Sequence, residues 1–179
     1  MSSFGSVAIF DFAKVGTAYL IINSFVDEVV IQVFEISPVG GRAVLILRSA
    51  DKLALEFIYQ QCLTLHGSDI LECAFIDELD ENIVACYLSQ NHPTLKKNLF
   101  VVEERFVSKA FLIAKSLLEE GLVLIDFRVV RTDPPNIIIT SSDDSIDRLS
   151  LFMQSNKLLK STIIENVQKP LQSFFQIIK

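Results

Sequence analysis

Along the 179-residue chain, apolar positions switch between strand-like runs and helical spacing, and the switches mark out the elements. Val7-Ala8-Ile9-Phe10 reads as a short strand. From Val15 to Val26, the apolar residues Val15, Ala18, Tyr19, Ile22 and Val26 recur at helical intervals. Val29 to Ile36 is β-branched and apolar, which predicts a strand, and Ser37-Pro38-Val39-Gly40-Gly41 carries the residues of a turn. Arg42 to Arg48 completes a hairpin. Asp51 is placed to cap a helix bearing Leu53, Ala54, Phe57, Ile58 and Gln61, which ends near His66-Gly67. A strand, Ile70 to Ile76, and a short amphipathic helix, Asp80 to Leu88, close the unit.

The same succession then returns. Shifted by 93 positions, residues 7–57 lie over 100–150 without a gap, with Val30 on Val123, Phe34 on Phe127, Ile46 on Ile139, Ser49 on Ser142 and Asp51 on Asp144. Identity is about one in ten, so the order and lengths of the elements carry the argument. Leu99 to Val102 is a strand, and Phe106 to Leu118 a helix with Phe106, Ala110, Ile113 and Leu117 on one stripe. Strands Leu122 to Val130 and Ile137 to Thr140 flank the turn Arg131-Thr132-Asp133-Pro134-Pro135-Asn136. A helix follows the Ser142-Asp143-Asp144 cap; strand Thr162 to Val167 and helix Leu171 to Ile178 finish the copy. The fold class is therefore α+β: two tandem βαββαβ-type units, each followed by a helix, with helices packed on mainly antiparallel sheets. The units span residues 1–91 and 94–179 and join at Gln90-Asn91-His92-Pro93.

The helix Val15 to Val26 is apolar nearly all round, since Leu20, Ile21 and Phe25 lie opposite its main stripe. One sheet needs only one apolar face, so the surplus face predicts contact with the other copy or another subunit. Composition points the same way: half the residues are hydrophobic, 21% are charged, and mean hydropathy is +0.42. The net charge of −6 leaves no basic excess for nucleic acid. The amino terminus lacks a secretory pattern, and no apolar run reaches the 18 or so residues of a membrane span. A cytoplasmic protein with no membrane partner is expected.

At this point the run Phe100-Val101-Val102-Glu103-Glu104-Arg105-Phe106, the helix after it and Gly121-Leu122-Val123-Leu124-Ile125 resemble the opening of the bacterial microcompartment shell domain. Ile9-Phe10-Asp11 through Val29-Val30-Ile31 does so in the first copy. Two fused copies resemble the tandem type of that family, whose three chains make a pseudohexameric disc. The resemblance implies a non-enzymatic homotrimer, as a single disc or a stacked pair, that partners with itself and with other shell proteins and passes small metabolites through a pore. It further implies that the hairpin turns line that pore: Ser37, Pro38, Val39, Gly40, Gly41 and Arg42 from one copy, Arg131, Thr132, Asp133, Pro134 and Pro135 from the other. The family usually carries a basic residue at the disc edge just after the first strand. Here Asp11 and Glu104 fall at that place, with Lys14 and Arg105 close by, and Lys169 in the partly matched turn Gln168-Lys169-Pro170. A soluble oligomeric ligand-sensing or regulatory module built from the same duplicated fold is the alternative.

Little else carries chemistry. Some tandem shell proteins hold an iron–sulfur cluster through a pore-turn cysteine; neither turn here has one, so no cofactor is expected. Cys62, Cys73 and Cys86 are odd in number and lack metal spacing, which reads as buried thiols. His66 sits at a helix end and His92 in the linker, with no partner at triad or zinc spacing, so no catalytic or metal site is expected. The acidic cluster Asp69, Glu72, Asp77, Glu78, Asp80 and Glu81 reads as a solvated face, with Asp80 and Glu81 complementing a helix dipole.

Overall fold

The computed structural model describes residues 4–26, 30–39, 41–91, 94–129, 136–143, 146–156 and 160–177. In chain order the elements are β1 (Ser6–Phe12), α1 (Val15–Phe25), β2 (Gln32–Val39), β3 (Arg42–Ser49), α2 (Lys52–His66), β4 (Ile70–Ile76) and α3 (Glu81–Tyr87). The second half repeats them as β5 (Asn98–Glu104), α4 (Val107–Glu119), β6 (Val123–Arg128), β7 (Asn136–Ser142), α5 (Ile146–Asn156), β8 (Lys160–Ile164) and α6 (Lys169–Ile177). Two four-stranded sheets result, in the order β2-β3-β1-β4 and β6-β7-β5-β8, with every paired neighbour antiparallel. The α+β class and the duplication stand as expected.

The pairing registers show that the copies are not related by one ungapped shift. Ser6 pairs with Ser49 as Asn98 pairs with Ser142, so the offset is 92 at the first strand and 93 at the third. Both edge hairpins carry a bulge, between Val33 and Glu35 and between Leu124 and Asp126, at an offset of 91. Cys73 opposite Phe10 matches Ser161 opposite Val102, an offset of 88. Ile46 and Ser49 thus correspond to Ile139 and Ser142 as the sequence suggested. Phe34, however, corresponds to the bulge residue Ile125, and Asp11 to Glu103 rather than Glu104.

Alternation along β1 assigns its two faces. Ala8, Phe10 and Phe12 point to one side and pack with Ala18 and Ile21 of α1 and Leu55, Ile58 and Cys62 of α2. Val7 and Ile9 point to the other, where Ile83 and Val84 of α3 and Val107, Phe111 and Ala114 of α4 complete a core shared by both halves. All seven residues of β1 are buried, because the second half supplies the cover for its second face. The edge of β6 is covered too: α3 lies along it, and the Asn91 amide donates to the carbonyls of Leu124 and Ile125 at 3.3 and 3.2 Å. An edge strand so capped is closed to further pairing.

Local signals behave largely as predicted. Asp51 accepts from the Ala54 N–H at 3.0 Å and Asp80 from the Asn82 N–H at 2.7 Å, each satisfying a free helix donor. Three expectations change. The buried side of α1 is Thr17, Ala18 and Ile21, while Tyr19 and Leu20 are exposed at 58% and 57%; the true stripe is therefore rotated from the one read from spacing. Gly67 does not take the left-handed turn of a helix terminator; at φ −54 it runs on into a short 3₁₀ turn over Gly67–Asp69. Asp143 accepts from the Lys97 N–H at 3.0 Å, a bond outside helix α5, while Asp144 lies outside the described residues.

Gly5 illustrates how tightly the first sheet closes on its flanking segments. Its φ is +89, its carbonyl accepts from the Leu79 N–H, and a Cβ there would stand 2.5 Å from the Ser49 carbonyl oxygen. Gly5→Ala should lower the unfolding free energy by about 2 kcal/mol in chemical denaturation. Gly67→Ala, at an ordinary helical φ with open space around it, should raise it by about 0.5 kcal/mol.

Candidate functional site

The junction between the halves is organised by one residue. Asp11 is the single charge inside the apolar run of β1, and its place on the strand turns it toward α4 rather than toward α1 and α2. Helix α4 begins after Phe106, whose side chain offers no cap. Its first N–H groups are instead met by Asp11: Oδ1 accepts from the Val107 N–H at 3.0 Å, and Oδ2 from the Ser108 N–H at 2.9 Å and the Ser108 hydroxyl at 2.5 Å. Asp11 is only 6% exposed and Ser108 is fully buried. Negative charge also opposes the positive end of the helix dipole.

Charged and aromatic groups extend the junction. Lys109 pairs with Glu72 of β4 at 3.0 Å. The Arg42 guanidinium lies over the Phe106 ring, 5.9 Å from its centroid, with Arg105 and Lys109 near the same ring. On the far side, Tyr87 at the end of α3 packs on Phe111 and Phe127 at 5.1 and 5.4 Å and donates its hydroxyl to Glu35. The β2–β3 hairpin is thus tied to the second half at its tip, through Arg42, and along its edge Glu35 holds Tyr87 of α3, whose ring packs on the second half.

The expected pore-lining residues divide in three. Ser37, Pro38 and Val39 belong to β2 rather than to a turn, and Val39 pairs directly with Arg42. Ser37 is buried, its hydroxyl without a hydrogen-bond partner among the described residues, while Pro38 and Gly41 are exposed. Gly41 has φ +82, which suits glycine at a hairpin connection. Gly40, and all of Arg131, Thr132, Asp133, Pro134 and Pro135, lie outside the described residues.

Two of the expected edge residues are interior. Asp11 and Glu104 are 6% and 7% exposed; the first is used up in capping α4, and Glu104 Oε1 accepts from the Arg105 and Phe106 N–H groups at 2.7 and 3.3 Å. A strand end facing a helix start cannot leave those carboxylates to solvent. Lys14, Arg105 and Lys169 are at the surface, and Lys14 pairs with Asp69 at 2.7 Å.

The acidic cluster is dispersed among local tasks. Asp69 accepts from Lys14 and Thr17, Asp77 from Lys52 and Ser6, and Asp80 caps α3. Among the described residues, no group of three or more His, Cys, Asp or Glu side chains stands together as metal ligands would. Burial pushes the thiols of Cys62 and Cys86 up to about 12, and Cys73 accepts a bond from the Tyr59 hydroxyl. His66 closes α2, and His92 lies outside the described residues. No described helix is long and apolar enough to cross a membrane.

No protein-family model and no curated protein matches the sequence. Among solved structures the fold is similar to that of a microcompartment protein from Desulfitobacterium hafniense DCB, with a TM-score of 0.75 at 13% identity, covering 96% of this chain and 99% of that one. A putative glycine cleavage system transcriptional repressor aligns over 90% of this chain and 98% of its own at 10% identity, but its TM-score of 0.30 carries no argument. The fold is that of a microcompartment protein over both halves.

Asp11→Ala leaves two N–H groups and a hydroxyl buried without acceptors, and should cost about 3 kcal/mol of unfolding free energy, read from the urea midpoint. Burial pushes the Asp11 carboxyl above its usual 3.8, against the bonds from Ser108 and Val107 and the nearby Arg42 that favour ionisation. A raised folded value contributes stability below the unfolded value that is lost as pH rises through the folded one. The stability advantage of the wild type over Asp11→Asn should therefore shrink as pH rises from the ordinary carboxylate range through the raised Asp11 value, in paired denaturation series.

Proposed function

We propose that the protein is a structural subunit resembling tandem microcompartment shell proteins, in which three chains close into a ring with six-fold pseudosymmetry around a pore that passes small metabolites. The observation that carries this reading is the likeness of fold to a microcompartment protein over nearly the full length of both chains. The duplicated halves support it further, since they meet head to tail: helix α4 of the second half covers a sheet of the first. A head-to-tail contact repeated between chains ends only when a ring closes. The β2–β3 hairpin, held at the junction by Arg42 and presenting Pro38 and Gly41 to solvent, is then the segment of the first half that reaches the pore. The Arg131–Pro135 turn is its counterpart. Backbone and charged groups arranged around such an axis select by size and sign. Acting as a shell subunit the protein works without a cofactor or a catalytic residue, in a microcompartment of the cytoplasm, alongside other shell proteins.

Light scattering on a sizing column should give a mass of about 60 kDa, three times the 20.1 kDa chain, or twice that for stacked discs. A mass of about 20 or 40 kDa would overturn the ring, and a metabolite that raises the melting temperature of such a species would identify a ligand-sensing module instead.

A further inference from the structure

The contact that joins the halves has an unused counterpart at each end of the chain. In the first sheet, Ile9 stands between Ile46 and Ala74, and Asp11 between Val44 and Glu72. These are buried under α4 and α3, with Ile9 and Ile46 at 0%, Val44 at 3% and Ala74 at 4% exposure. The registers place Val101 between Ile139 and Thr162, and Glu103 between Ile137 and Lys160, at the same positions of the second sheet. There, Val101, Glu103, Ile137 and Ile139 are half-buried and Thr162 is exposed. Likewise α1, which starts at Val15 as α4 starts at Val107, has no side chain capping its first turn. Gly16 and Tyr19 are exposed where Ser108 and Phe111 are buried.

Resting on the ring reading above, we infer that a second copy of this chain covers the open face of the β5–β7–β8 sheet with its α1, and that Glu103 caps that helix as Asp11 caps α4. The sizes fit. Glutamate is one methylene longer than aspartate, and Gly16 has no side chain where Ser108 has a hydroxymethyl; a Cβ at Gly16 would meet nothing within 4 Å. The acceptor reaches further and the helix leaves the room. Lys160 takes the place of Glu72, while Thr17, at the position of Lys109, is bonded to Asp69. The flanking ion pair therefore has no counterpart here: Thr17 is uncharged, Asp69 is paired with Lys14, and Lys160 stands 4.0 Å from Glu103. Tyr19 supplies the aromatic body that Phe111 supplies within the chain.

The test uses the full chain carrying Gly16→Glu, Glu103→Lys, or both. Gly16→Glu puts an acid in the first turn of an exposed helix face, where it suits the dipole, so folding is preserved while like charges meet across the contact. Each single variant should keep the wild-type circular dichroism and melting behaviour of a folded chain and shift the mass from about 60 to about 20 kDa, with association weakened more than tenfold. The double variant sets the introduced acid on α1 against the introduced base on β5 at every contact and should regain the 60 kDa species. If the wild type is a trimer and both single variants remain trimers, or the double variant does not re-form one, the assignment of this face is overturned while the ring stands. If the wild type itself never exceeds about 40 kDa, the ring fails and this contact fails with it.

Discussion

A carboxylate removed from water persists only where donors replace the lost hydration, and in this chain three donors from one helix start do so. Asp11 sits between a strand that has no other charge and a helix whose own cap residue, Phe106, can accept nothing. Each group solves the other's problem: the first N–H groups of α4 gain an acceptor, and the acid gains donors that offset its burial. Hydrophobic burial drives the halves together, but an apolar face tolerates sliding. Two short bonds to consecutive N–H groups do not. They fix where α4 begins relative to β1, and with it the seating of Phe111 and Ala114 on Val7 and Ile9.

That fixed seating accounts for the unusual cover of the first sheet. An antiparallel sheet commonly leaves one face to solvent and shows alternating polarity. Here β1 and β3 are apolar on both faces because α1 and α2 take one and α3 and α4 the other. The two halves consequently share one core across the junction, while the other face of the first sheet keeps its own core under α1 and α2. The β5–β7–β8 sheet has helices on one face and receives α6 on part of the other, through Val167, Leu171 and Phe175. The remainder is the surface assigned above to the α1 of a second copy.

Much of this was legible in the residues. Strand and helix succession, the Asp51 cap, the start of a helix at Asp80 and the duplication followed from spacing and turn chemistry, which act locally. The exposed side of α1 did not: with apolar residues all round, spacing cannot choose a face, and packing puts Ile21 inside and Tyr19 outside. The single offset of 93 failed because loops of different length separate the elements, so each pair carries its own shift. That error moved Asp11 onto Glu104 and hid its true counterpart, Glu103. The role of Asp11 itself had a signal, a lone acid in an otherwise apolar strand, but its partner lies 96 positions away in sequence, and only the fold brings them together. Ser37, Pro38 and Val39 read as a turn yet belong to a strand, since Pro38 at an edge strand looks locally like a turn residue.

The differences between corresponding positions follow from when each contact forms. The contact inside the chain is made once, on folding, at the high effective concentration of a single polypeptide. It never needs to be soluble alone, and it is built from Phe111, Ala74 and a buried Asp–Ser pair. In the proposed ring, the contact between chains must first exist as two free surfaces. Its aromatic is a tyrosine, whose hydroxyl accepts water; its edge-strand position is Thr162 rather than alanine; and its carboxylate, Glu103, sits half-exposed beside Lys160.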